Sequence, residues 1–279
     1  MGHGFHEHHK GERSDLELLY TRAHELILYN QINPNGFRDL YGNENVDRDL
    51  AAVDRLEQDF EHDSTRRQTW ALKPATILEA IIYEQGEQSD WFGPDATTVK
   101  TSRFDDIING IDSAVEFFDN INAPSHLAFG IDATYSNYID KKIEKIQHKI
   151  TTNRLATIKY FQSEQTGFRG ELRGVPLFIV AVTPDTISSV GELWAANEHQ
   201  ELAHHPIQLQ ILQELVDQAT KFELYAGKQG KENAARKYSA IGTKVESILA
   251  DKKRSIRQDH DLAYYELENR LAKLLDTNV

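Results

Sequence analysis

Hydrophobic positions recur along the chain at two spacings, and the spacing changes near residue 103 and again near residue 209. Behind Ser14 as a cap, Leu16, Leu19, Tyr20, Ala23, Leu26 and Ile27 form one stripe of a helix over 15–30. The turn chemistry of Asn33-Pro34-Asn35-Gly36 ends it. Leu50, Val53, Leu56 and Phe60 mark a second helix over 48–60. Ile77, Leu78, Ile81 and Ile82 mark a third, beginning after Pro74 and ending near Gly86, with Glu79 and Glu84 among them. The period then shortens to two. Arg103–Ile108 and Ile111–Phe118 flank Asn109-Gly110, the strongest short-range signal for a hairpin. A loop with Asn122 and Pro124 leads to a strand over 127–135, and Ile139, Ile143, Ile146 and Ile150 give a basic helix over 138–150 its buried side. Strands over 155–161 and 175–183 follow, separated by a loop bearing glycine and arginine. The run VPLFIVAVT is apolar on both faces, as in a buried central strand. From Leu209 onward the pattern is helical. Residues 236–275 form one or two long helices interrupted at most by Gly242, and the heptads break at Lys252 and Asp259, against a long coiled coil.

The order helices, hairpin, strand, helix, strand, strand, helices predicts an α/β fold with a small mixed sheet in the middle. It divides the chain into a mobile His-rich tail (1–13), an N-terminal helical region (14–73), an α/β core (74–200) and a C-terminal helical region (201–279).

Composition narrows the chemistry. The 279 residues, 39% hydrophobic, include 12 Phe, 11 Tyr and 3 Trp, enough for a sizeable core. The absence of cysteine excludes disulfides, thiolate metal sites and a cysteine nucleophile, and points to the cytoplasm. No apolar run has the length of a bilayer span, so no membrane partner is expected. The first residues lack the apolar segment of a signal peptide, and His6 stands where a myristoylation signal needs Ser or Thr. A net charge of −13 argues against a protein devoted to non-specific nucleic-acid binding, which needs clustered Lys and Arg. It leaves room for a local basic groove and favours a site that concentrates divalent cations.

Two aspartates stand where strand periodicity calls for hydrophobes: Asp112 in GIDSAVEF and Asp132 in HLAFGIDATYS. A carboxylate in an apolar strand is costly unless paired, solvated or bound to a cation. On the second strand Leu127, Phe129, Ile131 and Ala133 share a core face, while Ala128, Gly130, Asp132, Thr134 and Ser136 share a small, polar one. Asp112, Ala114 and Glu116 lie opposite Ile111, Ser113, Val115 and Phe117 on the first. If the strands pair in a suitable register, the two carboxylates converge, and such oxygen ligands suit Mg2+ or Mn2+. The residues also admit plainer roles. Asp112 follows a turn and can bond locally, Asp132 can partner an arginine, Glu79 can face solvent, and Lys159 can snorkel from an edge strand. Asp106 is a further acid that could join the site. His199, His204 and His205, with Glu198 and Glu201 near, would suit zinc, but their spacing matches no H-E-x-x-H helix, and a loop before a helix at Pro206 is expected there. No P-loop, dinucleotide-binding glycine pattern or G-x-S-x-G elbow is present.

Over residues 75–183 the chain resembles the PD-(D/E)xK nuclease superfamily. The resemblance rests on element order, on GIDSAVEF and GIDAT with their aspartates twenty residues apart, on Glu79 in the preceding helix and on the helix KKIEKI that follows. It implies an α/β fold whose small mixed central sheet is of restriction-endonuclease-like type, with helical N- and C-terminal additions. It also implies Mg2+- or Mn2+-dependent hydrolysis of DNA or RNA phosphodiesters. Asp112 and Asp132 would hold the metal, with Glu79 directly or through water. Thr134 occupies the family's lysine position. Lys159 in LATIKYF, or Lys142 on the following helix, would then supply the ammonium that orients the attacking water or steadies the transition state. Phosphate contacts would fall to Lys141, Lys142, Lys145, Lys149, Arg154, Arg169 and Arg173. The alternative is a non-catalytic interaction module on a degenerate nuclease-like sheet, using the C-terminal helices to bind partners or to form a homodimer.

Overall fold

A computed structural model describes residues 4–63, 66–118, 127–134 and 139–276. The loop through Asn122 and Pro124 lies outside the described residues, as do the side chains of 4–14, 60–72, 127, 128, 132, 134 and 274–276. The chain opens with α1 (Gly4–Asn30), α2 (Arg38–Tyr41), α3 (Asn43–Asp63) and α4 (Arg66–Gln88). Then come β1 (Ala96–Lys100), a π-helical turn (Asp105–Asn109), β2 (Ser113–Phe117), β3 (Leu127–Thr134), α5 (Ile139–Thr151), β4 (Ala156–Gln162), β5 (Arg169–Val175) and β6 (Leu177–Ala181). The chain continues with α6 (Pro184–Ala195), α7 (His199–Ala203), α8 (Ile207–Lys228), α9 (Glu232–Lys252) and α10 (Leu262–Asp276).

The central sheet has the order β1-β2-β3-β6. Its first three strands are antiparallel, and β6 runs parallel to β3. A parallel return needs a crossover, and α5 followed by the β4–β5 hairpin, a separate two-stranded sheet, supplies it. The mixed α/β core between helical ends is thus as the patterning predicts. Phe129 lies at its centre, its ring 5.3 Å from Phe178 and 6.0 Å from Phe92, and Phe178 passes the contact on to Tyr238. A smaller apolar cluster of Phe37, Val46 and Tyr160 fixes the N-terminal helices to the hairpin, where the Tyr41 hydroxyl donates to the Lys159 carbonyl (2.7 Å).

Several elements differ from the periodicity. Residues 103–109 form no strand; they make the π turn, and β2 pairs instead with β1. The Asn109-Gly110 pair still uses glycine's left-handed freedom (φ 66°), but as a helical cap whose N–H reaches the Asp106 carbonyl (2.9 Å). Asp105 holds the turn in place. It is fully buried and accepts from Ser102 Oγ, Asn109 Nδ2 and the backbone N–H groups of Lys159 and Tyr160, at 2.6–3.0 Å. The supposed loop at 169–175 is β5, with Gly170 and Gly174 at positive φ. Helix α6, which sequence reading missed, is capped by Thr183 and starts on Pro184. Helix α4 begins before Pro74 and passes through Gly86, which is there for packing rather than as a stop: a Cβ at 86 would collide with Thr98 on β1. Gly242 likewise sits inside α9 against the Ala219 methyl of α8, and the break between the C-terminal helices falls at 253–261.

Among the described residues no strand pairs with the outer edge of β6; side chains bond it instead. Gln218 on α8 accepts from the Ile179 N–H (2.9 Å) and donates to the Ile179 carbonyl (2.7 Å). One turn earlier Glu214 accepts from the Ala181 N–H (3.0 Å), and Gln210 donates to the Ala181 carbonyl (3.1 Å). The Tyr238 hydroxyl serves Leu177 (3.3 and 3.4 Å). Four residues of helix rise about 6 Å and two residues of strand about 6.6 Å, so an i, i+4, i+8 column keeps step with alternate strand residues. At the opposite edge Glu87 of α4 accepts from the Thr98 N–H.

Gln218→Leu strands both Ile179 backbone groups and is expected to lower unfolding stability in urea by about 1–3 kcal/mol for each group. Burial holds the Glu214 carboxyl well above its ordinary 4.5, with Asp261 and Asp217 adding to the rise. The folded state therefore retains a proton that the unfolded chain loses, and this group's contribution to stability falls as pH rises from about 4.5. Glu214→Gln should flatten that decline in urea titrations at successive pH values.

Candidate active site

The antiparallel register pairs Ser113 with Ile131, and Asp112 immediately precedes β2 at the end where Asp132 follows Ile131 in β3. The Asp112 N–H donates to the Ile131 carbonyl at 2.9 Å. The Asp132 side chain lies outside the described residues, but its backbone sits in β3 across from Ile179 of β6. The next residue, Ala133, is held at both ends of its backbone. Its N–H donates to Asp112 Oδ2 (2.7 Å), and its carbonyl accepts from Lys142 Nζ on α5 (2.8 Å). Asp112, the β3 position of Asp132 and the α5 lysine therefore belong to one end of the sheet.

Glu79 reaches this end through a residue that sequence reading missed. Lys100, the last residue of β1, is 2% exposed, and its ammonium bonds both the Glu79 carboxylate and the Asp112 carbonyl. Burial disfavours the charge, yet Glu79, Asp106 and Asp112 together raise the Lys100 pKa. Burial pushes the Glu79 carboxyl up; Lys100 opposes the shift and Asp106 adds to it. Asp106 is itself paired with Arg103 Nη1 (2.7 Å), whose Nε holds Glu57 of α3 (2.6 Å). The only trace of Lys100 in the sequence is a lysine ending the β-branched run ATTVK.

Other expected residues lie elsewhere. The Lys159 ammonium pairs with Asp49 and rests 5.3–5.4 Å from the ring centres of Tyr41, Phe104 and Tyr160. Its β4 backbone bonds Asp105, so the strand touches the π turn while the charge is turned to the N-terminal helices. Arg169 is bound to Asp39 and stacks on Phe37, and Arg173 pairs with Glu171. Both belong to β5 rather than to the central sheet. Lys145 extends from α5 to Gly110, where a Cβ would collide with its Nζ. His204 Nδ1 bonds the Gln200 carbonyl, and His205 Nδ1 accepts from the Ile207 N–H at the start of α8. Among the described residues no three His, Asp or Glu side chains are grouped to hold a metal.

No family model, curated protein or solved structure matches this chain.

Lys100→Met would leave Glu79 buried beside Asp106 without its cation, and removing one member of a buried pair typically costs about 3–5 kcal/mol. Urea unfolding should register that loss. The double variant Lys100→Met with Glu79→Leu should recover most of it, since apolar packing can replace a buried pair.

Proposed function

We propose that this chain is a divalent-metal-dependent nuclease that hydrolyses phosphodiester bonds of DNA or RNA. The observation that carries the reading is the Ala133 peptide: Asp112 holds one end and Lys142 the other, beside the strand position of Asp132. The element order supports it. A helix with Glu79, three antiparallel strands, a helix and a parallel strand repeat the order of the PD-(D/E)xK resemblance, with the β4–β5 hairpin inserted.

The donor chemistry fits Mg2+ or Mn2+. The groups at this end offer oxygen and no sulfur or imidazole, and Asp112 is partly exposed. Asp112 and Asp132 would hold the ion, with Glu79 kept nearby by Lys100. When bound, it supplies an activated water and neutralises charge on the scissile phosphate. Lys142 takes the part of the lysine that Thr134 replaces: its ammonium, anchored on the Ala133 carbonyl, orients the attacking water and steadies developing negative charge. Lys159 acts elsewhere, as a clamp between β4 and the N-terminal helices.

Cleavage of DNA and RNA oligonucleotides should depend on Mg2+ or Mn2+. Asp112→Asn keeps an acceptor for the Ala133 N–H, and both it and Lys142→Ala should slow cleavage about 10²-fold or more. Lys159→Ala should leave the rate of the folded protein unchanged. Absence of metal-dependent cleavage by the folded wild-type chain would reject the nuclease reading in favour of a binding module on the same sheet.

A further inference from the structure

The lysines of α5 form a row that the proposed chemistry uses only at its first member. At about 100° per residue, Lys142, Lys145 and Lys149 fall within about 60° of arc. Ile139, Ile143, Ile146 and Ile150 fill the buried face beside them. Asp140 and Glu144 take the opposite flank, and Asp140 is bound there by Arg270 of α10. The lysine flank faces the sheet end instead. Lys142 is on the Ala133 carbonyl, and Lys145 is against Gly110, two residues before Asp112.

Lys145 and Lys149 make no ion pair among the described residues, in a chain with 44 acidic and 31 basic residues. Lys149 is half-buried, and burial together with the Lys145 charge lowers its pKa. Among the described residues, Lys145 beside Gly110 and Lys149 one turn further along α5 have no carboxylate partner, which leaves them for an anion from outside. The row extends about 10 Å along the helix, narrow enough for one line of phosphates. A duplex carries one charge per about 1.7 Å and would bring a second line of phosphates to a chain whose net charge is −13.

We propose that the Lys142–Lys145–Lys149 flank of α5 binds the phosphates of a single polynucleotide strand and leads it to Asp112. The inference rests on the nuclease reading for its destination, but binding is measured apart from cleavage. Fluorescence anisotropy in EDTA, with oligothymidylate, oligouridylate and a DNA duplex of equal length, supplies the test; the two single-strand arms show whether deoxyribose or ribose is preferred. Single strands should bind more tightly than the duplex. Lys145→Gln with Lys149→Gln should weaken that binding at least tenfold and reduce the slope of log affinity against log salt by about 1.4, or 0.7 per lost phosphate contact. Arginine at both positions should restore it. Tighter duplex binding, or an unchanged double variant, overturns the proposal. Metal-dependent cleavage with normal binding by the double variant removes this inference and leaves the nuclease. Lysine-dependent strand binding without cleavage removes the nuclease and leaves this inference.

Discussion

A four-stranded sheet enclosed by helices has two outer rows of peptide groups that no further strand meets, and a buried peptide group without a partner is costly. This chain meets the constraint with side chains. Gln210, Glu214 and Gln218, spaced one helical turn apart, give β6 the donors and acceptors of an absent neighbour, and Tyr238 extends the column to Leu177. Much of the C-terminal half follows from that need. Helix α8 must run along the edge, α9 must bring Tyr238 beside it, and the close seat of Gly242 on Ala219 lets the two helices pack tightly. The polar column is also why α8 buries glutamines and a glutamate where an ordinary core helix would bury only hydrophobes.

The same economy of partners governs the opposite end of the sheet. Lys100 is an ammonium with almost no water around it, retained because Glu79, Asp106 and Asp112 surround it with negative charge. Those carboxylates are in turn kept from repelling one another by Lys100, and by Arg103 at Asp106. Lys142 enters from a separate helix and binds the Ala133 carbonyl. The chain thus builds a buried inner pair, Lys100 with Glu79, and sets a second cation on Ala133, next to Asp112 and the β3 position of Asp132.

What the sequence made legible follows from which signals are local. Isoleucines at 139, 143, 146 and 150 specify α5 by themselves, and the apolar run at 177–182 marks a buried strand, but β6 is an edge strand rather than a central one, its burial coming from α8 along its outer side. The end of the sheet where Asp112 sits was legible too, because alternation along 127–133 marks the β3 core face and β2 pairs with β3 as far as Ser113 and Ile131, though Asp112 itself lies just before β2. The misread turn at 103–109 is a different case. Asn-Gly signals a need for positive φ, which a hairpin turn and a helical cap share; the deciding contact is Asp105 with Lys159 and Tyr160, more than fifty residues away. Lys100 went unread, and Lys159 was assigned to the site, for the same reason. Each owes its place to a carboxylate from a distant helix, Glu79 in one case and Asp49 in the other, and no spacing along the chain records such a partnership.

The bonds of Asp105 have a mechanical consequence. One carboxylate grips the π turn through Ser102 and Asn109 and the β4 strand through two peptide N–H groups. Beyond β4, the hairpin is clasped to the N-terminal helices by Tyr41, Asp49 and Arg169. Hairpin and turn therefore shift as one piece. Any displacement of the N-terminal helices is transmitted along this tether to the segment that carries Asp106 and leads into Asp112, so these helices act as a brace on the sheet end from the far side of the hairpin.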